Sequence, residues 1–176
     1  MTRFKSEKLK NEVVIRDPVH GYIHIEDKVV LDVVKSKEFQ RMRRIKQLGP
    51  VSYVFPGATH TRFEHNLGVY ELTRRICDIF AKKYPSIMPG DGLWDDDNRL
   101  LVECAGLLHD IGHGPYSHTF EHLFGTNHEK IGQKIITDPN TEINKALKQV
   151  DPRFPDLVAS VIAKTYPNPQ VVKMIS

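Results

Sequence analysis

Apolar residues recur at helical spacing over most of this chain. From Val29 to Leu48 they fall at Val30, Val34, Phe39, Met42 and Ile45, and Gly49-Pro50 ends the pattern. The loop "FPGATHTRFEH" follows, with threonines able to cap a helix expected to run to about Tyr84. Pro85 to Trp94 is a turn-rich connector. Three aspartates, Asp95 to Asp97, then stand where a helix dipole favours negative charge. The next helix, about Asp97 to Asp110, carries Leu100, Leu101, Cys104, Leu107 and Leu108 on a broad apolar face. Shorter helical patterns occupy 117–124, 128–136, 142–149 and 155–165, and "QVVKMIS" begins another after Tyr166-Pro167-Asn168-Pro169. Only the N-terminal part differs. There "VVIRDPVHGYIHI" (13–25) is β-branched and turns at Pro18 and Gly21, which predicts a short hairpin, while the lysine-rich first ten residues read as a frayed or weakly paired start. The pattern predicts an all-α domain over 1–176 with one small N-terminal β-hairpin.

Composition narrows the picture a little. The 176 residues are 40% hydrophobic and 27% charged, as expected of a globular domain with its own core. A net charge of +3 is too slight and scattered to imply nucleic acid, and the Arg41-Arg43-Arg44-Lys46 cluster reads better as part of an interface or a nucleotide site. Cys77 and Cys104, the only cysteines, sit in helical patterns and read as buried reduced thiols of a cytoplasmic protein. No signal-peptide pattern and no membrane-length apolar run is present.

The chemistry concentrates in "CAGLLHDIGHGPYSH" (104–118), where an apolar run delivers His109-Asp110 into a glycine-rich bend holding His113 and His118. Neighbouring helical residues point about 100° apart. At a helix end relaxed by Gly112, however, His109 and Asp110 can approach one ion from two sides. Imidazole with carboxylate suits Mn, Fe, Zn, Co or Ni rather than Ca. A third ligand is needed, and His65 of "RFEHNLG" is the best candidate. Taken alone, the dipeptide fits a structural histidine beside a helix C-terminus better than a metal ligand.

The dipeptide has company. "HTRFEHNLGVY", then "LLHDIGHGPYSH", then "NHEKIG", together with "IRDPVHGYIHI" and "EFQRMRRIKQLGPVSYVFPGATHTRFEH", resemble the HD-domain phosphohydrolases. The similarity is greatest to the branch containing the SAM- and HD-domain deoxynucleotide triphosphohydrolase and its bacterial relatives, and it extends from about Val14 to Ser176. It implies an HD-domain helical bundle and a divalent metal cofactor (Mg joining the candidates above) held by His65, His109 and Asp110. By the same resemblance His113 and His118 line the phosphate side, and Glu121 stands where a relative has Asp, three residues after His118. His128 would give a proton to the leaving oxygen. Arg62 would contact the α-phosphate, and Gln47 with Leu48 would approach the nucleoside. Without the family, Arg62 could be a surface cation and Gln47 a helix-end amide.

The implied reaction is hydrolysis of deoxynucleoside triphosphates to deoxynucleoside and triphosphate. Asp17, Gln40 and Arg43 would read a guanine nucleotide activator between subunits of a homo-oligomer, a dimer or tetramer. Otherwise Asp17 simply opens a proline turn and Arg43 lies on a solvated helix face. The resemblance places one more metal-ligating Asp and the sugar-enclosing tyrosines beyond Ser176. It therefore predicts an N-terminal portion of a longer enzyme, with negligible turnover by these 176 residues alone. Phosphodiester or nucleoside-monophosphate hydrolysis, or a non-catalytic nucleotide-binding or oligomerising module, are the alternatives. Membrane and nucleic-acid partners are not expected.

Overall fold

The structure, a computed structural model, describes residues 4–88 and 91–173, without the side chains of residues 117–120, 169 and 170. Two antiparallel strands, β1 (Lys8–Asp17) and β2 (Gly21–Asp27), form the expected hairpin, with Val13 opposite Ile25 and Ile15 opposite Ile23. Ile23 and Ile25 are fully buried, so one face of β2 joins the core. Among the described residues the rest is helical: α1 (Lys28–Lys35), α2 (Lys37–Gln40), α3 (Arg62–Lys83), α4 (Arg99–Leu108), α5 (Ser117–Phe124), α6 (His128–Thr137), α7 (Glu142–Leu147), α8 (Phe154–Ile162) and α9 (Pro169–Lys173). Among the described residues no helix is long and apolar enough to cross a membrane.

Two expectations are corrected. The single helix over 29–48 is broken at Ser36, whose backbone is extended (ψ 147°). Its Oγ donates to the Val33 carbonyl at 2.6 Å and accepts from the Phe39 N–H, closing one helix and opening the next. A serine hydroxyl competes with the helical ladder in this way, and apolar periodicity continues past it without a signal. A 3₁₀ turn (Arg41–Arg44) follows α2, and a second (Gly49–Tyr53) begins at the expected Gly-Pro stop. The N-terminal stretch is not frayed from Phe4 onward: Phe4 is buried with its ring 5.1 Å from that of Phe154.

The core is built around α4, in which every residue from Leu100 to Leu108 is buried. It packs against α3 on one side and α8 on the other, and α8 also meets α6. The N-terminus of α3 is fixed by a capping box: Thr61 and Glu64 bond reciprocally, the Thr61 N–H donating to the Glu64 carboxylate at 2.5 Å. Phe63, Leu67, Tyr70 and Cys77 face inward from α3 at helical intervals. Gly106 lets α4 lie close to α3, since a Cβ there would come within 2.7 Å of the Thr73 hydroxyl. This approach also carries the end of α4 toward the start of α3. Glu103, 3% exposed, is an outlier in the apolar interior: burial pushes its carboxyl up to about 8, against the opposing pull of Arg99 at 3.7 Å. The buried thiols Cys77 and Cys104 are likewise pushed up by desolvation and stay inert.

Candidate metal centre

His65 lies one turn inside α3, and His109 occupies the C-terminal cap of α4. Beyond it the chain folds back in a turn closed by Ile111 N–H to Leu108 O (3.0 Å) and His113 N–H to Asp110 O (3.1 Å). One donor atom each from His65, His109 and Asp110 lies within 4.8 Å of the other two. His65 Nε2 is 3.5 Å from one Asp110 oxygen and His109 Nε2 is 3.4 Å from the other. His109 Nδ1 stands 2.8 Å from the Gly106 carbonyl, which can only accept, so Nδ1 carries the proton and Nε2 presents its lone pair. Burial, reinforced by the neighbouring His109, lowers the pKa of His65 and favours the neutral imidazole that ligates. Burial alone would raise Asp110. The His113 hydrogen bond and the nearby His109 and Arg62 outweigh it and hold the carboxyl well below the usual range. Two imidazole nitrogens and one ionised carboxylate oxygen fit a divalent metal of the kind HD domains use.

A second cluster shares Asp110. His113 Nε2 is 3.4 Å from it, and the His113 ring stacks on His128 at 3.8 Å with 14° between planes. Burial lowers the pKa of His113 while its bond to Asp110 opposes the shift. Glu121 fixes His128 twice, through the backbone N–H at 2.5 Å and Nδ1 at 2.7 Å. The close stack depends on Gly112. A Cβ there would collide with the His128 carbonyl and the Gly132 N–H, so only glycine lets α6 start directly on the turn. Arg62, almost wholly buried, pairs with Asp110 in the same place.

Other predicted residues are more dispersed. Gln47 is tied to the start of α3 by a closed neck: its N–H donates to His60 O (3.1 Å), Arg62 N–H donates to Ile45 O (2.8 Å), and Lys46 bridges Thr61. Gln47 Oε1 is buried without a hydrogen bond, and Leu48 is exposed. Next to Leu48, Gly49 faces Tyr116 of the "GPYSH" turn, so this loop borders the site. Gln40 and Arg43 meet, Arg43 Nε donating to Gln40 Oε1 at 2.8 Å, with the guanidinium over Phe63. Asp17 does not join them through any described hydrogen bond or ion pair; its carboxylate accepts from Val19 and His20 N–H within its own hairpin turn. The His118 side chain lies outside the described residues, and the described partner of Glu121 is His128. Sequence reasoning placed Arg41 only in a basic cluster. In the fold its guanidinium reaches Ile111 O and His113 O, a contact without a local sequence signal because its partners are 70 and 72 residues away.

An HD domain is recognised over residues 62–165. The Bacillus subtilis protein YwfO is 50% identical over 173 residues, 98% of this chain and 38% of its own length. Human deoxynucleoside triphosphate triphosphohydrolase SAMHD1 is 44% identical over 111 residues, 63% of this chain and 17% of its own. The crystal structure of a Bacteroides thetaiotaomicron phosphohydrolase superposes with a TM-score of 0.77 at 33% identity, over 94% of this chain and 38% of that one. The chain thus spans about two fifths or less of the length of these relatives. With the His-Asp cluster at the end of α4 and this match across more than half its length, the chain belongs to the HD-domain phosphohydrolase family.

Proposed function

We propose that this protein is a metal-dependent hydrolase of deoxynucleoside triphosphates, releasing the deoxynucleoside and inorganic triphosphate. One observation carries the reading: the site joins a three-donor metal cluster, a buried arginine and a carboxylate-held histidine through the single residue Asp110. His65, His109 and Asp110 are the proposed ligands. When bound, the metal polarises a phosphoryl oxygen and lowers the pKa of water. Arg62 and His113 add positive charge and hydrogen-bond donors where phosphate charge develops. Water attacks the α-phosphorus and the bond to the sugar oxygen breaks. His128 gives that oxygen its proton from Nε2, while Glu121 on Nδ1 holds the ring in place and stabilises its protonated form. Gln47 and Leu48, beside the neck of their loop, are proposed to meet the nucleoside, and His118 to line the phosphate side.

Choice of the α-phosphorus and of deoxynucleotides rests on the likeness to SAMHD1. Activation by a guanine nucleotide in a homo-oligomer belongs to the same proposal, with Gln40 and Arg43 as the paired readers and Asp17 as the third. The test is product analysis by phosphorus NMR on a panel of deoxynucleoside and ribonucleoside triphosphates, nucleoside monophosphates and cyclic nucleotides, with Mn²⁺ supplied and GTP present or absent. Inorganic triphosphate from deoxynucleotides is expected of a longer protein that carries the further metal-ligating Asp, and little of it from residues 1–176 alone. Phosphate from monophosphates, or opening of cyclic nucleotides, would replace this reading with another HD hydrolysis. Binding without any product would point to a non-catalytic module.

A further inference from the structure

Arg41 is a half-buried cation given to the backbone. Its Nη2 donates to the Ile111 carbonyl at 2.7 Å and its Nη1 to the His113 carbonyl at 2.9 Å. Its described hydrogen bonds reach no carboxylate, and burial lowers its pKa. A guanidinium withdrawn from water loses solvation that neutral carbonyls restore only in part. The arrangement is maintained by geometry: a planar fork fits two carbonyls two residues apart. These carbonyls belong to the turn after α4, where oxygens lack helical partners and a cation also complements the helix dipole.

That turn carries Asp110, Gly112 and His113. Asp110 is held by Arg62, and Gly112 is backed by the start of α6. We propose that Arg41 is the positioning residue for His113: it fixes the backbone on both sides of Gly112 and so sets the His113 ring against Asp110 and His128. It touches neither the ligand atoms nor a substrate-facing nitrogen. A lysine, with one ammonium in place of the fork, cannot hold both carbonyls in the same geometry.

The test compares Arg41→Lys and Arg41→Met in the full chain. Arg75→Met is the control, because Arg75 also donates to a backbone carbonyl, that of His20 at 2.8 Å, in the hairpin. Histidine-selective nitrogen NMR of the metal-loaded protein is expected to show the His113 and His128 ring signals displaced in both Arg41 variants, with His24 of the hairpin unmoved. Metal per chain is expected to stay at the wild-type level. The kinetic arm rests on the hydrolase reading: KM within about twofold, kcat down about tenfold for lysine and about 100-fold for methionine. Should Arg41→Met fail to fold, Arg41→Lys carries both arms. Wild-type His113 signals in Arg41→Lys, or metal lost in proportion to kcat, would overturn the proposal. If the longer protein that carries the further metal-ligating Asp turns over no nucleotide, the hydrolase reading fails and the NMR arm still decides the role of Arg41.

Discussion

A single methyl group at residue 112 measures how tightly the two halves of the site are assembled. The Cβ of Gly112→Ala would fall on the His128 carbonyl and the Gly132 N–H, and 3.0 Å from the Gly132 Cα. Heavy atoms attract at about 3.5–4.0 Å, so the turn and α6 must separate by on the order of 1 Å. Both sides are backbone, and no rotamer relieves the contact. Overpacking of this kind costs about 1–3 kcal/mol. For a chain of this size that lowers Tm by about 2–4 °C per kcal/mol. The separation also draws His128 from His113, and if His128 is the proton donor proposed above, misplacing it by ~1 Å costs on the order of 100-fold in turnover. His65 and His109 lie outside the collision, so metal content is expected to hold. Melting by circular dichroism, steady-state turnover and metal analysis by mass spectrometry on one preparation separate these effects. A variant that melts with the wild type and turns over at its rate would refute the dependence of the stack on this crossing.

His109→Ala is expected to lose both metal and activity. His128→Ala should keep its metal while kcat falls about 10²–10⁴-fold, the usual range for losing a general acid; equal metal loss in both would make His128 a ligand rather than an acid. Glu103 titrates near 8 in the fold and near 4.5 in the unfolded chain, so between those values the native state holds the extra proton and stability falls as pH rises. The slope approaches about 1.4 kcal/mol per pH unit, and Glu103→Gln should flatten that part of the urea-denaturation profile. A profile unchanged by the substitution would show that Glu103 is ionised in the fold.

Much of the fold was legible because burial repeats at helical intervals. The starts of α5 and α6, the α3 cap at Thr61 and the hairpin all follow from local pattern and capping chemistry. The break at Ser36 was not, because Val34 and Phe39 are buried on either side of it and the rhythm of the sequence never changes. Phe4 was hidden for the opposite reason: one aromatic among lysines carries no rhythm, and its partner Phe154 is 150 residues away. In the site, His109-Asp110 announced itself through its setting at the end of an apolar helix. The tie from Glu121 to His128 and the reach of Arg41 to two carbonyls depend on how separate helices meet, and no local spacing encodes that.

The neck at residues 45–47 and 60–62 gives the loop between them an unusual freedom. Its hydrogen bonds close at the base, while Tyr53, Val54 and Phe55 stand exposed at the far end. Entropy of loop closure grows only slowly with length. Residues added or exchanged beyond the neck therefore alter the rim facing Tyr116 without transmitting a shift to Arg62 or the first turn of α3. The rim beside Tyr116 and the first turn of α3 thus lie on separate pieces of chain, and the first can change while the second stays in register.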